Sequence, residues 1–140
     1  MDKDIEKVFS DYGFKLSEQQ IKQFDDYFDV LSEWNSKMNL TAIENERQVY
    51  LKHFLDSLMM GKAVDLNSIK LLDVGSGAGF PGIPLKILYP SLRLTVIDAL
   101  KKRIVFLEHL CDVLNVDANL IHGRIEEHKH KSTYDIVTGR

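Results

Sequence analysis

Three glycines at alternate positions follow an aspartate in the stretch "LLDVGSGAGFPG": Asp73, then Gly75, Gly77 and Gly79, with Gly82 closing the run. Glycine accepts positive φ and has no side chain to hold a ligand off the backbone, so this loop suits something that approaches closely. A plain strand-to-helix turn needs only one or two glycines. Further along, "VIDAL" carries a second carboxylate, Asp98, after Val96 and Ile97. An acid one βα unit past a glycine loop can accept hydrogen bonds from both hydroxyls of a ribose. It can also cap the helix that begins near Lys101, and one residue can do both. A third stretch, "GRIEEH", offers Ile125 as an apolar wall and Glu126 or Glu127 as acceptors for an adenine amine. Glycines, then an acid, then an apolar residue beside an acid are together the parts of a nucleoside site.

The class of nucleoside follows from charge. Gly77, Gly79 and Gly82 spell a literal G-x-G-x-x-G, which alone is a weak dinucleotide signal. In dinucleotide folds the first glycine of that fingerprint follows the strand at once, and here Gly75 holds that place. Asp73 at the strand end would repel a pyrophosphate and suit a cationic ligand. S-adenosylmethionine carries a sulfonium and an ammonium group and no phosphate. A nicotinamide-dependent oxidoreductase is the competing reading of the glycines.

These residues need a frame. Lys70 to Val74, Leu92 to Asp98, Ala118 to His122 and Tyr134 to Thr138 read as strands. Gly82 to Leu88 and Lys101 to Asn115 read as helices between them, the latter with Ile104, Leu107, Leu110 and Leu114 on one side. Strands alternating with helices predict a parallel sheet with ligands beyond its carboxyl ends. Ahead of them the chain is helical. "SEQQ" from Ser17 has the form of a capping box, and Ile21, Phe24, Tyr27, Phe28, Leu31 and Trp34 recur behind it at helical spacing. A shorter helix is expected from Asp4 to Tyr12. A third is expected from Glu46 to Met60, with Val49, Tyr50, Phe54, Leu55, Leu58 and Met59 as its apolar face. The expected division is a helical segment over 1–66, packed on the core, and a nucleoside-binding α/β region over 67–140.

Length and composition fit one folded unit: 140 residues, 44% hydrophobic and 28% charged. The single cysteine, Cys111, excludes an internal disulfide and reads as a buried, inert thiol. "HKHKS" (His128 to Ser132) is too short to read as a metal site, and no metal is expected. The amino terminus lacks the apolar core of a signal peptide, and no run is long enough to span a bilayer, so the cytoplasm is the expected compartment. A formal net charge of −3 argues against nucleic-acid binding by the whole surface and leaves room for a local basic face. "KKR" (Lys101 to Arg103) puts cations at a helix start, where the dipole disfavours them. Phosphate contact and a solvated face both account for that.

"LLDVGSGAGFPGIPLKI", "VIDALKKRIVFL", "GRIEE" and "YDIVTGR" resemble consecutive motifs of the bacterial glucose-inhibited division protein B family, and "EWNSKMNLTAI" and "HFLDSL" match its amino-terminal segment. The resemblance implies a Rossmann-like, class I S-adenosylmethionine-dependent methyltransferase fold with an N-terminal helical segment. It implies methylation of guanine N7 in small-subunit (16S) ribosomal RNA, with the RNA or the ribosomal subunit as partner. By position it implies cofactor contacts at Gly75, Phe80, Asp98, Ala99, Leu100, Ile125, Glu126 and Arg140, with Gly77 and Gly79 in the same loop. Family members continue well past the position of Arg140, and the class normally has seven strands. A sheet lacking its last strands is therefore expected, with Ile136 and Val137 on an open edge and self-association as a consequence. A non-catalytic nucleoside- or RNA-binding remnant is the corresponding alternative to an enzyme.

Guanine N7 carries an in-plane lone pair, so its methylation needs orientation and no general base. Accordingly no nucleophile–base pair stands out. Arg140, Asn39 and His53 are the candidates for a direct part in the reaction. Asn39 can equally cap a turn, and His53 fits a structural role better than a catalytic one. His53, Asp56 and Ser57 are spaced to face one cleft together.

Overall fold

The Ser17 hydroxyl accepts the Gln20 amide at 3.1 Å while the Gln20 side chain accepts the Ser17 amide at 2.9 Å, so the capping box forms. It starts α2 (Glu18–Met38), which buries Phe24, Tyr27, Val30, Leu31 and Asn35. The computed structural model describes residues 1–42, 45–128 and 133–139. Ahead of α2 lies α1 (Lys3–Asp11), whose cap Asp2 accepts the Ile5 amide. Asp25 of α2 accepts the amino-terminal ammonium at 2.7 Å and also the Tyr50 hydroxyl. Burial, then the Asp25 carboxylate, pushes the Tyr50 phenol well above its ordinary range.

The third helical stretch departs from expectation. It is not one regular α-helix but α3 (Glu46–Gln48), a π-helical stretch Val49–Leu55, α4 (Asp56–Met60) and a 3-10 turn Gly61–Ala63. Val49 and Phe54, and Tyr50 and Leu55, stand five residues apart, which is the repeat an i→i+5 turn brings to one side. All four are buried. The wider turn changes the face that follows. Ser57 goes inside and donates to the His53 carbonyl at 2.5 Å, whereas Met59, expected in the core, is 37% exposed.

The rest is β1 (Lys70–Val74), α5 (Gly82–Leu88), β2 (Arg93–Asp98), α6 (Lys101–Leu114), β3 (Asn119–His122), a 3-10 turn Ile125–Glu127 and β4 (Ile136–Gly139). The strands make one parallel sheet in the order β3-β2-β1-β4. The chain steps outward from β1 to β3 and returns to the other side of β1, so the order reverses at β1, where such sheets bind ligands. Val74 pairs with Ile97 and with Gly139, and Asp98 pairs with His122, so the carboxyl ends lie level. Asn115, expected in α6, is instead its left-handed cap.

The helical layer joins the sheet through one continuous core, running from Ile5 to Leu114. Trp34 of α2 meets Phe106 of α6 edge to face at 5.6 Å and stacks on His109 at 5.4 Å. Gln20 and Gln23 donate to the Ile87 and Leu114 carbonyls, satisfying the ends of α5 and α6. Among the described residues no helix is long and apolar enough to cross a membrane.

Candidate functional site

The glycine loop leaves β1 at Gly75, whose amide donates to the Ile97 carbonyl at 2.8 Å and extends the ladder with β2 by one bond. Gly75 and Gly77 have φ of +65° and +61°, and a Cβ at either would meet nothing within 4 Å. They present bare backbone to open space at the carboxyl edge of the sheet. Gly79 and Gly82 are glycines for a different reason. A Cβ at Gly79 would run into the Tyr27 hydroxyl, and one at Gly82 would lie 2.7 Å from Asp73 Oδ2 and 2.9 Å from Leu94 Cδ1. The literal G-x-G-x-x-G therefore mixes one glycine that faces open space with two that let elements pack.

Two neighbours hold the loop. The Ser76 carbonyl accepts the Gly79 and Phe80 amides at 3.1 and 3.3 Å. From α2, the Tyr27 hydroxyl donates to the Ala78 carbonyl at 2.7 Å in a buried bond. Asp73 plays a different part from the one its charge suggested. It is fully buried, and its Oδ2 accepts the Gly82 amide at 2.9 Å. That bond ties the strand to the start of α5, so at least one carboxylate oxygen is committed inside the fold.

Asp98 closes β2 with a side chain only 2% exposed. Its Oδ1 accepts the Leu100 amide at 2.9 Å, so it does shape the entry to α6. Its Oδ2 is buried, takes no hydrogen bond from any described residue and lies 3.7 Å from the Arg103 guanidinium. An unfilled acceptor beside open backbone at Gly75 and Gly77 fits a ligand that brings hydroxyl donors. Ala99 and Leu100 are exposed next to it, and the Ala99 carbonyl meets His122 Nε2 at 3.1 Å. Ile125 is half-buried and Glu126 and Glu127 are exposed, all three in the turn that follows β3.

The Phe80 ring is buried, not open to the edge. It stacks on His53 with centroids 4.5 Å apart and planes at 8°, and on Tyr27 at 5.7 Å. Any ligand contact by Phe80 falls to its backbone or ring margin. His53 Nε2 meets Thr41 Oγ1 at 3.0 Å. Asn39 is the left-handed cap of α2, donating its amide to the Asn35 carbonyl at 3.1 Å. The expected cleft of His53, Asp56 and Ser57 does not form, since Asp56 is exposed and Ser57 buried. Arg140, and all of "HKHKS" after His128, lie outside the described residues. Among the described residues no group of His, Cys, Asp and Glu side chains could hold a metal.

Sequence reasoning missed Tyr27, Asn35 and Thr41. Tyr27 reads as one more ring in an apolar stripe. Asn35 did give a signal: it lies one turn past Leu31, on the buried face, where an amide needs a partner. That partner is the Thr41 amide, which donates to Asn35 Oδ1 at 2.8 Å.

Comparison with known proteins agrees with this frame. Residues 20–140 match the family described as GidB, rRNA small subunit methyltransferase G. The ribosomal RNA small subunit methyltransferase G of Lysinibacillus sphaericus is 51% identical over 134 residues, which cover 91% of this chain and 56% of that protein. Its counterpart in Listeria welshimeri is 48% identical over 139 residues, covering 95% and 58%. The chain thus spans well under two thirds of the curated relatives it matches. Among solved structures, a mutant of MtNAS in complex with S-adenosylmethionine superposes with a TM-score of 0.55 at 19% identity, over 96% of this chain and 49% of that one. At that identity the likeness speaks for the Rossmann-like fold. With most of its length matched by the family pattern and about half of its residues shared with relatives of one description, the chain belongs to the rRNA small subunit methyltransferase G (GidB) family.

Proposed function

We propose that this chain forms the S-adenosylmethionine-binding part of a methyltransferase that acts on N7 of a guanine in small-subunit (16S) ribosomal RNA. One observation carries the reading: the bare backbone at Gly75 and Gly77 lies beside a buried Asp98 oxygen without a hydrogen bond. When bound, the cofactor supplies an electrophilic methyl group on a cationic sulfur. Gly75 and Gly77 let the backbone close on it, and Asp98 Oδ2 takes a ribose hydroxyl. Ile125 and Glu126 stand at the next strand end for the adenine, with Ala99 and Leu100 along the rim. Arg140, at the end of "YDIVTGR", is assigned to the cofactor or the base by resemblance. The guanine lone pair needs alignment and exclusion of water, and oriented approach supplies as much as ~7–11 kcal/mol of such a barrier.

A basic rim supports an RNA partner. Lys101, Lys102, His122 and Arg124 are exposed, and Arg103 partly so, at the adjoining ends of β2 and β3 on a chain of net charge −3. Cations gathered beside the cofactor space suit phosphates. The place of action is the cytoplasm, where ribosomal subunits are built.

Calorimetry with S-adenosylhomocysteine and with NAD tests the cofactor, and methyl transfer to small ribosomal subunits tests the substrate. Binding of S-adenosylhomocysteine alone supports the reading. Binding of NAD would replace it with an oxidoreductase. Cofactor binding without transfer would assign this chain to nucleoside binding only.

A further inference from the structure

We propose that His53 is a positioning residue that locks Thr41, just past α2, to the glycine loop, so that the helical layer holds that loop in one geometry. The imidazole does two jobs at once. Its face lies on Phe80, 4.5 Å between centroids and 8° between planes, and its Nε2 edge meets Thr41 Oγ1 at 3.0 Å. Each contact continues. Phe80 donates its amide to Ser76, in the middle of the glycine loop, at 3.3 Å. Thr41 donates its amide to the buried Asn35, whose own carbonyl takes the Asn39 amide. A chain of contacts therefore runs from Asn39 and Thr41 through His53 to Gly79 and Phe80.

The π-helical stretch makes the arrangement possible. It buries Val49, Tyr50, Phe54 and Leu55 together and leaves His53, between them in sequence, turned to Phe80 and Thr41. Ser57 fixes that turn by donating to the His53 carbonyl. Such wide turns recur at functional sites because they re-aim one side chain within a helix. A packed imidazole needs a partner for its ring nitrogen in any case. Here that partner is Thr41, just past α2, which ties that segment to the ring stacked on Phe80.

The inference rests on the cofactor reading for one arm of its test, and the first arm needs no ligand. Amide spectra of the chain are recorded for Thr41→Val, His53→Phe and the double variant. His53→Phe keeps a stacked ring, a larger one, and loses the edge, whereas Thr41→Val preserves volume. Thr41→Val is expected to shift the Gly79 and Phe80 amides. Ser36→Ala, which removes a hydroxyl bonded to Glu33 at the same end of α2, is expected to leave them in place. In the His53→Phe background the Thr41→Val shift should vanish, the mark of a shared pathway. Unmoved Gly79 and Phe80 amides, or an equal shift with and without His53, overturns the proposal. In the second arm S-adenosylhomocysteine is added. The parent should slow hydrogen exchange at the Thr41 amide as well as in the glycine loop. At saturating S-adenosylhomocysteine, His53→Phe should lose the slowing at Thr41. Equal slowing in both would overturn the coupling. No binding to the parent would sink the cofactor reading and leave the first arm to decide this one.

Discussion

Asp98 and Arg103 face each other at 3.7 Å, carboxylate oxygen to guanidinium nitrogen, with no hydrogen bond between them. The pair leaves Oδ2 of a buried acid as an acceptor at the rim of the site, while Oδ1 is committed to Leu100. Asp98→Ala should therefore cost binding of S-adenosylhomocysteine by roughly 1.5–3 kcal/mol, the worth of one hydrogen bond to a charged group. Calorimetry on the folded variant measures it, and parental affinity would remove Asp98 from the site.

The two kinds of glycine should separate in mutation. Gly77→Val puts a branched side chain at φ +61° in open space, so the fold loses about 1–2 kcal/mol while the approach to the backbone is blocked. Gly79→Ala meets Tyr27 and Ile83 instead, and its damage should be to stability. We expect Gly77→Val to melt several degrees below the parent, stay folded and fail to bind S-adenosylhomocysteine. Gly79→Ala should show the lower denaturation midpoint, partly restored by adding Tyr27→Phe. A Gly77→Val chain that binds at parental strength would make the loop a turn and nothing more.

Cys111 lies buried in α6, and burial, followed by the nearby Asp117 charge, raises its thiol pKa from 9.0 to about 11. The folded state thus holds the thiol proton more tightly than the unfolded chain does. Its contribution to stability is complete below pH 9 and is lost as pH rises from 9 toward 11. A thiol reagent at pH 8 should react slowly with the native chain and at once in denaturant. Rapid reaction of the native chain would contradict this burial.

β4 pairs with β1 on one side, and among the described residues no strand pairs with its other side. Val137 on that strand is 54% exposed. An open strand edge with apolar residues recruits further strands. Light scattering should therefore show self-association of this chain, and Val137→Lys should reduce it. A monodisperse parent would show that the edge is protected.

Much of this architecture is legible in the sequence because its signals are local. A capping box, the run from Gly82 to Leu88 and the alternation of Leu92 to Asp98 each depend on neighbours a few residues away. Asp98 could be found because a strand followed by a helix fixes where its carboxylate must stand. What escaped depends on distance. Nothing near Asp73 says that its carboxylate turns inward to the Gly82 amide, since that is decided by how α5 packs on β1. The π-helical stretch reads as ordinary helix because Val49, Tyr50, Phe54 and Leu55 also satisfy an approximate α pattern. Phe80 sits in a glycine-rich loop, and only the arrival of Tyr27 and His53 from the helical layer explains why its ring is buried.

The bond from Tyr27 to Ala78 joins residues 51 positions apart. A chain made from its amino end delivers α2 long before β1 exists. Until residues 71–80 arrive, Phe9 and Phe54 already cover Phe24, but Tyr27 lacks the Ala78 carbonyl and the Phe80 ring. The loop that would take the cofactor therefore sets only after the helical layer it docks on. Contacts at such separation slow folding, and they do so more here than in a bundle whose helices meet their immediate neighbours. The helical layer is thus an early product that waits, and a nascent chain of this kind is most exposed to misassociation in the interval between α2 and β1.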